Sequence, residues 1–358
     1  MTGGAFGSWR DLPPIDTGGD PSSARADWVA AFGRHLYGPV PAAPDGLEID
    51  RLPCGPAERL TLRLCGASFN ALLWRPPGRM GRVPVIAGLD FVGPYGLPGV
   101  PFPRDPEAII CAPRPFGGEG HRLTEAMRGR TGHRWPVEAI HRAGFALLLS
   151  CYGSWVPDDP DLWRERGLRP ILGPAHGAIS LWAWALMRLV DVAEGLDELG
   201  PAFLAGHSRL GKAALWAGAN DPRVAGVFAN ASGCAGAAPA AHGAGETLAD
   251  LTARYPHWLR DGAVLPDGLD QHHLLAAIAP RPLVVTGARG DIWADPVGSY
   301  RALCAASGLP GWPEAREMWS DGGVVRRGAM CHGLRDGGHD LTPQDWGVAL
   351  PVLSETFS

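Results

Sequence analysis

Between Val83 and Leu353 the chain alternates continuous apolar runs of strand length with longer segments whose apolar residues recur at helical spacing. The runs are "VPVIAGLDF", "FALLLSCYG", "AFLAG", "VAGVFANASG" and "RPLVVTGARGD". A strand apolar in both phases of its alternation is buried on both faces. Between the runs lie "WPVEAIHRAG", "RLGKAALWAGA", "QHHLLAAIA", "PVGSYRALCAAS" and the long "HGAISLWAWALMRLVDVAEGL", with Ile179, Trp182, Leu186, Leu189, Val190 and Ala193 on one helical stripe. "HDLTPQDWGVALPVL" reads as a last helix after a loop. Strands alternating with helices require right-handed crossovers, so the expected class is α/β, a mostly parallel central sheet covered by helices on both faces. Upstream, Ala26 to Leu36 reads as a helix and "RLTLRLCGASFNALLWRPPG" as a hairpin. Residues 1–25 are rich in Gly, Pro, Asp and Ser and read as a loosely packed lead-in, and no repeat or shift in composition divides 26–358, which is expected to be a single domain.

Composition narrows the function. Of 358 residues 46% are hydrophobic and 19% charged, as in a folded globular chain, and a net charge of -5 supplies no basic field for nucleic acid or anionic lipid. Neither a nucleic-acid nor a membrane partner is therefore expected. The seven cysteines are odd in number and form no Cys-x-x-Cys pair, so no disulfide framework or zinc site is signalled. No H-E-x-x-H or other spaced ligand set points to a metal, and no cofactor is expected. The start "MTGGAFGSWRDLPP" has neither a basic nor an apolar signal-peptide region. With Met1 as the native start the protein is expected in the cytoplasm; with a leader removed, it would be secreted.

The chemistry centres on "FLAGHSRLGKAALWAGANDPRV". Ser208 follows a strand and opens a helix, the setting of a nucleophile elbow, with Gly206 two residues before it; the residue two after is Leu210, so the strict G-x-S-x-G pattern fails by one position. An N-capping serine prefers the same place, so this stretch alone leaves both readings open. A serine nucleophile needs a base and an acid to orient it, in the chain order Ser, acid, His for the α/β-hydrolase fold. "VVTGARGDIWADP" offers Asp291, with Asp295 as second candidate; Asp295 precedes Pro296 and reads as a helix cap, so Asp291 is preferred. His339 lies in a Gly-flanked loop before the last helix, completing the order Ser208, Asp291, His339. His207, His272 and His273 do not fit that order and read as structural.

"GHSRLGKAALWAGANDPRV" closely resembles the nucleophile region of carbohydrate esterase family 15, the glucuronoyl esterases, whose signature is Gly-Cys-Ser-Arg-x-Gly-Lys; His207 stands in for the Cys. The resemblance extends through "RWPVEAIHRAGFALLLSCYG", "GAISLWAWALMRLVD", "NASGCAGAA", "GET", "PHWL", "DQHHLLAAIAPRPLVVTG", "DIWADP" and "HDLTPQDW", most of residues 130–350 in order. It implies an α/β-hydrolase that cleaves the ester between a glucuronate carboxyl on xylan and an alcohol of lignin. By the same resemblance Arg209 helps to hold the oxyanion, against the rival reading of a buried Arg paired with an acid. Lys212, Glu246 and Trp293 match positions that contact the sugar; the rival readings are a solvated helix lysine, a helix-start acid and a packing aromatic.

Two departures stand out. Many members carry the acid as a Glu where this chain has Ala231, while Asp291 matches the acid position of other members. "GLDFVGPYG" replaces the usual Gly-Leu-Asn-Phe followed by Gly-Asn-His. The expectation is a metal-independent serine esterase acting on glucuronate esters, polymeric or small. A general carboxylic or acetyl-sugar esterase is the alternative enzyme, and a sugar-binding protein without catalysis the alternative of another class.

Overall fold

The computed structural model describes residues 11–111, 120–321 and 323–357. Ten strands run in chain order: β1 (Glu48–Cys54), β2 (Ala57–Leu64), β3 (Ala67–Trp74), β4 (Val83–Asp90), β5 (Ala146–Cys151), β6 (Leu199–His207), β7 (Val224–Asn230), β8 (Leu283–Ala288), β9 (Gly323–Arg327) and β10 (Met330–Arg335). They form one sheet in the order β1-β2-β3-β5-β4-β6-β7-β8-β10-β9. The six strands from β5 to β10 in that order are mutually parallel; β1, β2 and β3 at one edge and β9 at the other are antiparallel. The helices are α1 (Pro21–Phe32), α2 (Val137–Arg142), α3 (Tyr152–Trp155), α4 (Arg169–Leu172), α5 (Ala178–Gly195), α6 (Arg209–Asn220), α7 (Leu248–Arg254), α8 (Gln271–Ile278), α9 (Pro296–Ser307), α10 (Ala315–Asp321) and α11 (Pro343–Ser354). Among the described residues no helix is long and apolar enough to cross a membrane. All seven cysteines are free.

The two-faced burial read from the apolar runs is visible residue by residue. Val85, Ala87 and Leu89 of β4 and Leu204 of β6 pack with Trp182, Leu186 and Leu189 of α5 and Leu215 of α6. Ile86, Leu147, Phe203, Phe228 and Val284 point to the other face, onto Ile140 of α2 and Trp346 and Leu353 of α11. Each of the Val, Leu, Ile and Phe side chains among them contributes roughly 1.5–3 kcal/mol by leaving water, so a polar residue in either phase of these strands is costly. Reactive groups are consequently confined to the loops beyond the carboxyl ends of the strands.

Three elements differ from the sequence reading. The first helix begins at Pro21 rather than Ala26, because Asp20 caps it by accepting from Ser22 N (3.0 Å) and Pro21 suits its first turn. The expected lead-in is thus partly structured: Leu12 and Ile15 pack against the core and His272 hydrogen-bonds the Pro13 carbonyl, while residues 1–10 lie outside the described residues. Strand β1 was not anticipated, since it is a largely exposed edge with a proline and no apolar alternation. Nor was the β9–β10 hairpin in what reads as loop. β10 pairs in parallel with β8 and delivers the chain to His339.

Candidate active site

Strand β6 ends at His207 and α6 begins at Arg209, leaving Ser208 alone on the turn at φ 58°, ψ -127°. A β-carbon on Gly206 would stand 2.1 Å from the Leu210 carbonyl oxygen, so only glycine permits so tight a reversal. The second close approach falls at Gly211 rather than at residue 210: a β-carbon there would meet the Ser232 side chain at 3.0 Å and the Gly206 carbonyl oxygen at 3.1 Å. That is why the five-residue pattern fails by one position while the turn persists. The Ser208 backbone is fixed by its N–H on Asn230 O (2.9 Å) and by its carbonyl, which accepts from Gly211 N and Lys212 N. Its side chain makes no capping bond.

Instead Ser208 Oγ lies 2.9 Å from His339 Nε2, and His339 Nδ1 lies 2.6 Å from Asp291 Oδ2. A carboxylate only accepts, so Nδ1 carries the proton and Nε2 is left to accept from the serine hydroxyl. Asp291 is buried; the His339 side chain is 45% exposed, on the solvent side of the turn. The loops after β8 and β10 are tied together by Arg289 N to Arg335 O (2.9 Å) and Gly290 N to Gly337 O (2.8 Å). Asp340, next to His339, is held by Arg134 Nε (2.8 Å) and His133 (2.9 Å). Asp295, the second acid candidate, turns its carboxylate to Gly298 N and Ala244 N, both at 2.8 Å, and caps α9.

Ser208, His339 and Asp291 open on a cavity of about 330 Å³, whose walls include Arg209, Lys212, Glu246 and Trp293. All seven residues singled out in the sequence thus meet at one site. The Arg209 guanidinium is buried, ion-paired with Asp158 and faced by the rings of Trp258 (4.3 Å), Tyr255 and Phe91 (5.2 Å each). Burial works against its charge, but Asp158 more than offsets this and holds the group above the ordinary arginine range. Lys212 Nζ donates to Ser232 O (2.6 Å) and Cys234 O and stands 3.9 Å from Glu246. Burial lowers its pKa, with Glu246 pulling the other way. An ammonium has three donors, so about one remains for a ligand. Glu246 accepts from Trp293 Nε1 (3.1 Å), fixing an indole that is 46% exposed at the mouth.

His207 is buried, hydrogen-bonded to Asn230 Oδ1 (2.6 Å), and its ring packs 4.7 Å from that of His339. Burial, reinforced by the neighbouring His339, pushes its pKa well below the usual histidine value, so it is a neutral packing partner. The altered "GLDFVGPYG" loop is organised by Asp90, which accepts from Val92 N and Gly93 N (3.0 Å each) and from Trp135 Nε1 (3.1 Å). Sequence reasoning missed Arg254, Tyr255 and Trp258 in the cavity wall, although "PHWL" was part of the resemblance. It also missed Asp158, one acid in the run "PDDPD", where nothing local marks which carboxylate turns inward.

A serine on a strained strand-to-helix turn, a histidine and a carboxylate from successive strand-end loops, and a mostly parallel sheet define an α/β-hydrolase. The family model described as glucuronyl esterase, fungi, matches residues 173–309. The carbohydrate esterase MZ0003, from an unknown prokaryotic organism, is 30% identical over 354 residues, covering 89% of this chain and 81% of that protein. Among solved structures, a glucuronoyl esterase from Solibacter usitatus superposes with a TM-score of 0.83 at 28% identity, covering 98% of each chain. A promiscuous family 15 carbohydrate esterase from a marine bacterial metagenome gives 0.75 at 26% identity, over 93% of this chain and 91% of that one. The chain belongs to carbohydrate esterase family 15, the glucuronoyl esterase family, and is a carboxylic ester hydrolase.

Proposed function

We propose that the protein hydrolyses esters of glucuronic acid through an acyl-enzyme, with Ser208 as nucleophile, His339 as base and Asp291 as its orienting acid. The observation that carries this reading is the continuous chain Ser208 Oγ, His339, Asp291 at 2.9 and 2.6 Å, opening on a cavity lined by Lys212, Glu246 and Trp293. Ser208 attacks the ester carbonyl carbon as its proton passes to His339 Nε2, and Asp291 balances the imidazolium. The carbonyl oxygen, now an anion, meets the Arg209 guanidinium and the backbone N–H of Arg209 at the start of α6, which lies ahead of the helix's own hydrogen-bond ladder. Collapse expels the alcohol, which takes the proton from His339. Water then attacks the acyl group by the same path reversed, releasing the uronic acid and free Ser208.

The sugar belongs on the acyl side because the polar wall adjoins the nucleophile. Glu246 can accept from a ring hydroxyl, Lys212 can donate to one, and the Trp293 face offers an apolar platform for a pyranose. The test compares benzyl glucuronate with para-nitrophenyl acetate, in wild type and Ser208→Ala. Preference for the glucuronate, abolished in the variant, is the expected result. Turnover of the acetate alone would keep the serine chemistry and discard the uronate pocket, leaving a general carboxylic or acetyl-sugar esterase.

A further inference from the structure

Asp158 is 2% exposed and lies beneath the oxyanion side of the site rather than in the cavity wall. Each of its oxygens takes two donors. Oδ1 accepts from His257 Nε2 (2.9 Å) and Trp258 Nε1 (2.8 Å); Oδ2 accepts from Tyr152 OH (2.8 Å) and from the Arg209 guanidinium. The four donors come from three separate segments: the start of α3, the loop after α7, and the residue next to Ser208. Tyr152 OH in turn accepts from Cys111 N (2.8 Å). The guanidinium is thus gripped at one end by a carboxylate that three further donors hold, while Trp258, Tyr255 and Phe91 close on its faces.

We infer that Asp158 is a positioning residue for the esterase reaction, holding the Arg209 guanidinium where the carbonyl oxygen becomes an anion. The inference rests on the role proposed for Arg209. Electrostatic stabilisation of this kind works only when the donor is fixed in advance, since a donor that must reorient gives back what it contributes. Among the described residues Asp158 is the only carboxylate paired with this arginine, which three aromatic faces enclose, so it supplies both the neutralisation that lets the guanidinium stay buried and the direction in which it points. The four donors leave the carboxylate one arrangement. Burial alone would raise its pKa, but Arg209 and the donors from His257 and Trp258 draw it well below the usual carboxylate range, so it stays charged throughout the working range of an esterase.

The test is a double-mutant cycle between Asp158→Asn and Arg209→Met, read as kcat and KM on benzyl glucuronate, with thermal unfolding measured in parallel. Whichever way the new amide turns, its NH2 faces a group that can only donate, the Trp258 indole or the Arg209 guanidinium, so the grip on Arg209 is lost or skewed. Asp158→Asn is expected to lower kcat about tenfold to a hundredfold, within the loss of an oxyanion donor, with KM changed less than about threefold. In the Arg209→Met background it should lower kcat no further, an outcome a merely structural carboxylate would not produce. An equal loss in both backgrounds, or a change confined to KM, overturns the inference and leaves Arg209's role standing. Wild-type kcat in Arg209→Met overturns both together. Should Asp158→Asn not fold, Asp158→Glu keeps the charge but shifts it by about one methylene. That displacement is expected to cost up to about a hundredfold in kcat, and wild-type kcat in that variant would equally overturn the inference.

Discussion

Asp291→Asn separates an orienting acid from a capping one. The substitution keeps the shape of the side chain but replaces one oxygen with an amide that can donate. If the amide NH2 faces His339 Nδ1, the ring must carry its proton on Nε2, where it meets the Ser208 hydroxyl as a donor instead of a base. If the amide oxygen faces it, the tautomer survives but the imidazolium formed during attack loses its counter-charge. For unit charges about 2.6 Å apart at an effective dielectric of about 20–40, that attraction is about 3–6 kcal/mol, or roughly two to four powers of ten in rate. Either route predicts a fall in kcat of about a thousandfold within that range. Asp295→Asn provides the comparison. Asn tolerates the left-handed φ of 47° and can still accept at a helix start, so the expected losses are about 1 kcal/mol of stability and under tenfold in kcat. The assay is steady-state hydrolysis of benzyl glucuronate alongside thermal unfolding of both variants. A folded Asp291→Asn within tenfold of wild type, or the two effects reversed, would refute the assignment of the acid.

Gly206→Ala drives a methyl into the Leu210 carbonyl, so it should destabilise the protein by at least about 3 kcal/mol, seen as a lowered melting temperature with Ser208 no longer labelled by a serine-directed phosphonate. Trp293→Ala should raise KM for benzyl glucuronate about tenfold, some 1.4 kcal/mol, while leaving para-nitrophenyl acetate turnover within about threefold. Stability should fall with acid for a defined reason: burial holds His332 at about 4 against an ordinary 6.5. Above pH 6.5 neither the folded nor the unfolded form protonates this group. Between 6.5 and 4 only the unfolded chain takes up the proton, so lowering the pH from 7 to 5 costs about 2 kcal/mol, read as a lower urea midpoint. His207, depressed in the same direction, adds to the loss. His332→Leu should flatten the slope, and an unchanged slope would refute the attribution.

The central sheet was legible because its strands are buried on both faces, and such strands carry their burial in composition: Val85 to Leu89 and Leu147 to Leu149 have no polar phase. The edges were not, for the converse reason. β1 is exposed on most of its length and β9 is nowhere buried, so their pairing is decided by backbone partners that leave no mark on side-chain choice. At the site, Ser208, His339 and Asp291 were legible from order and flanking glycines, since a sharp turn leaves a chemical signature even when it falls one residue out of register. Asp158 was not. Its importance lies in four donors that arrive from up to 100 residues away, and the sequence around it differs little from that of a solvent-exposed turn.

The place of the acid follows from the sheet. The strand order β7-β8-β10 sets the loop bearing His339 directly beside the end of β8, with Arg335 level with Ala288. Asp291, three residues past β8, therefore needs no long reach to meet Nδ1. A carboxylate at residue 231 starts from β7, one strand further away, and must cross the end of β8 to arrive at the same nitrogen. Ala231 does line the same cavity, and its N–H is fastened to Thr286 O at 2.8 Å on β8, so the route is open in principle. Yet with Asp291 already in contact, a second carboxylate there would bring two like charges to one imidazole and raise the cost of ionising either. Ala231 brings no such second charge, so the Nδ1 nitrogen is left to Asp291 alone, and its φ of 45° marks the turn by which the chain leaves β7.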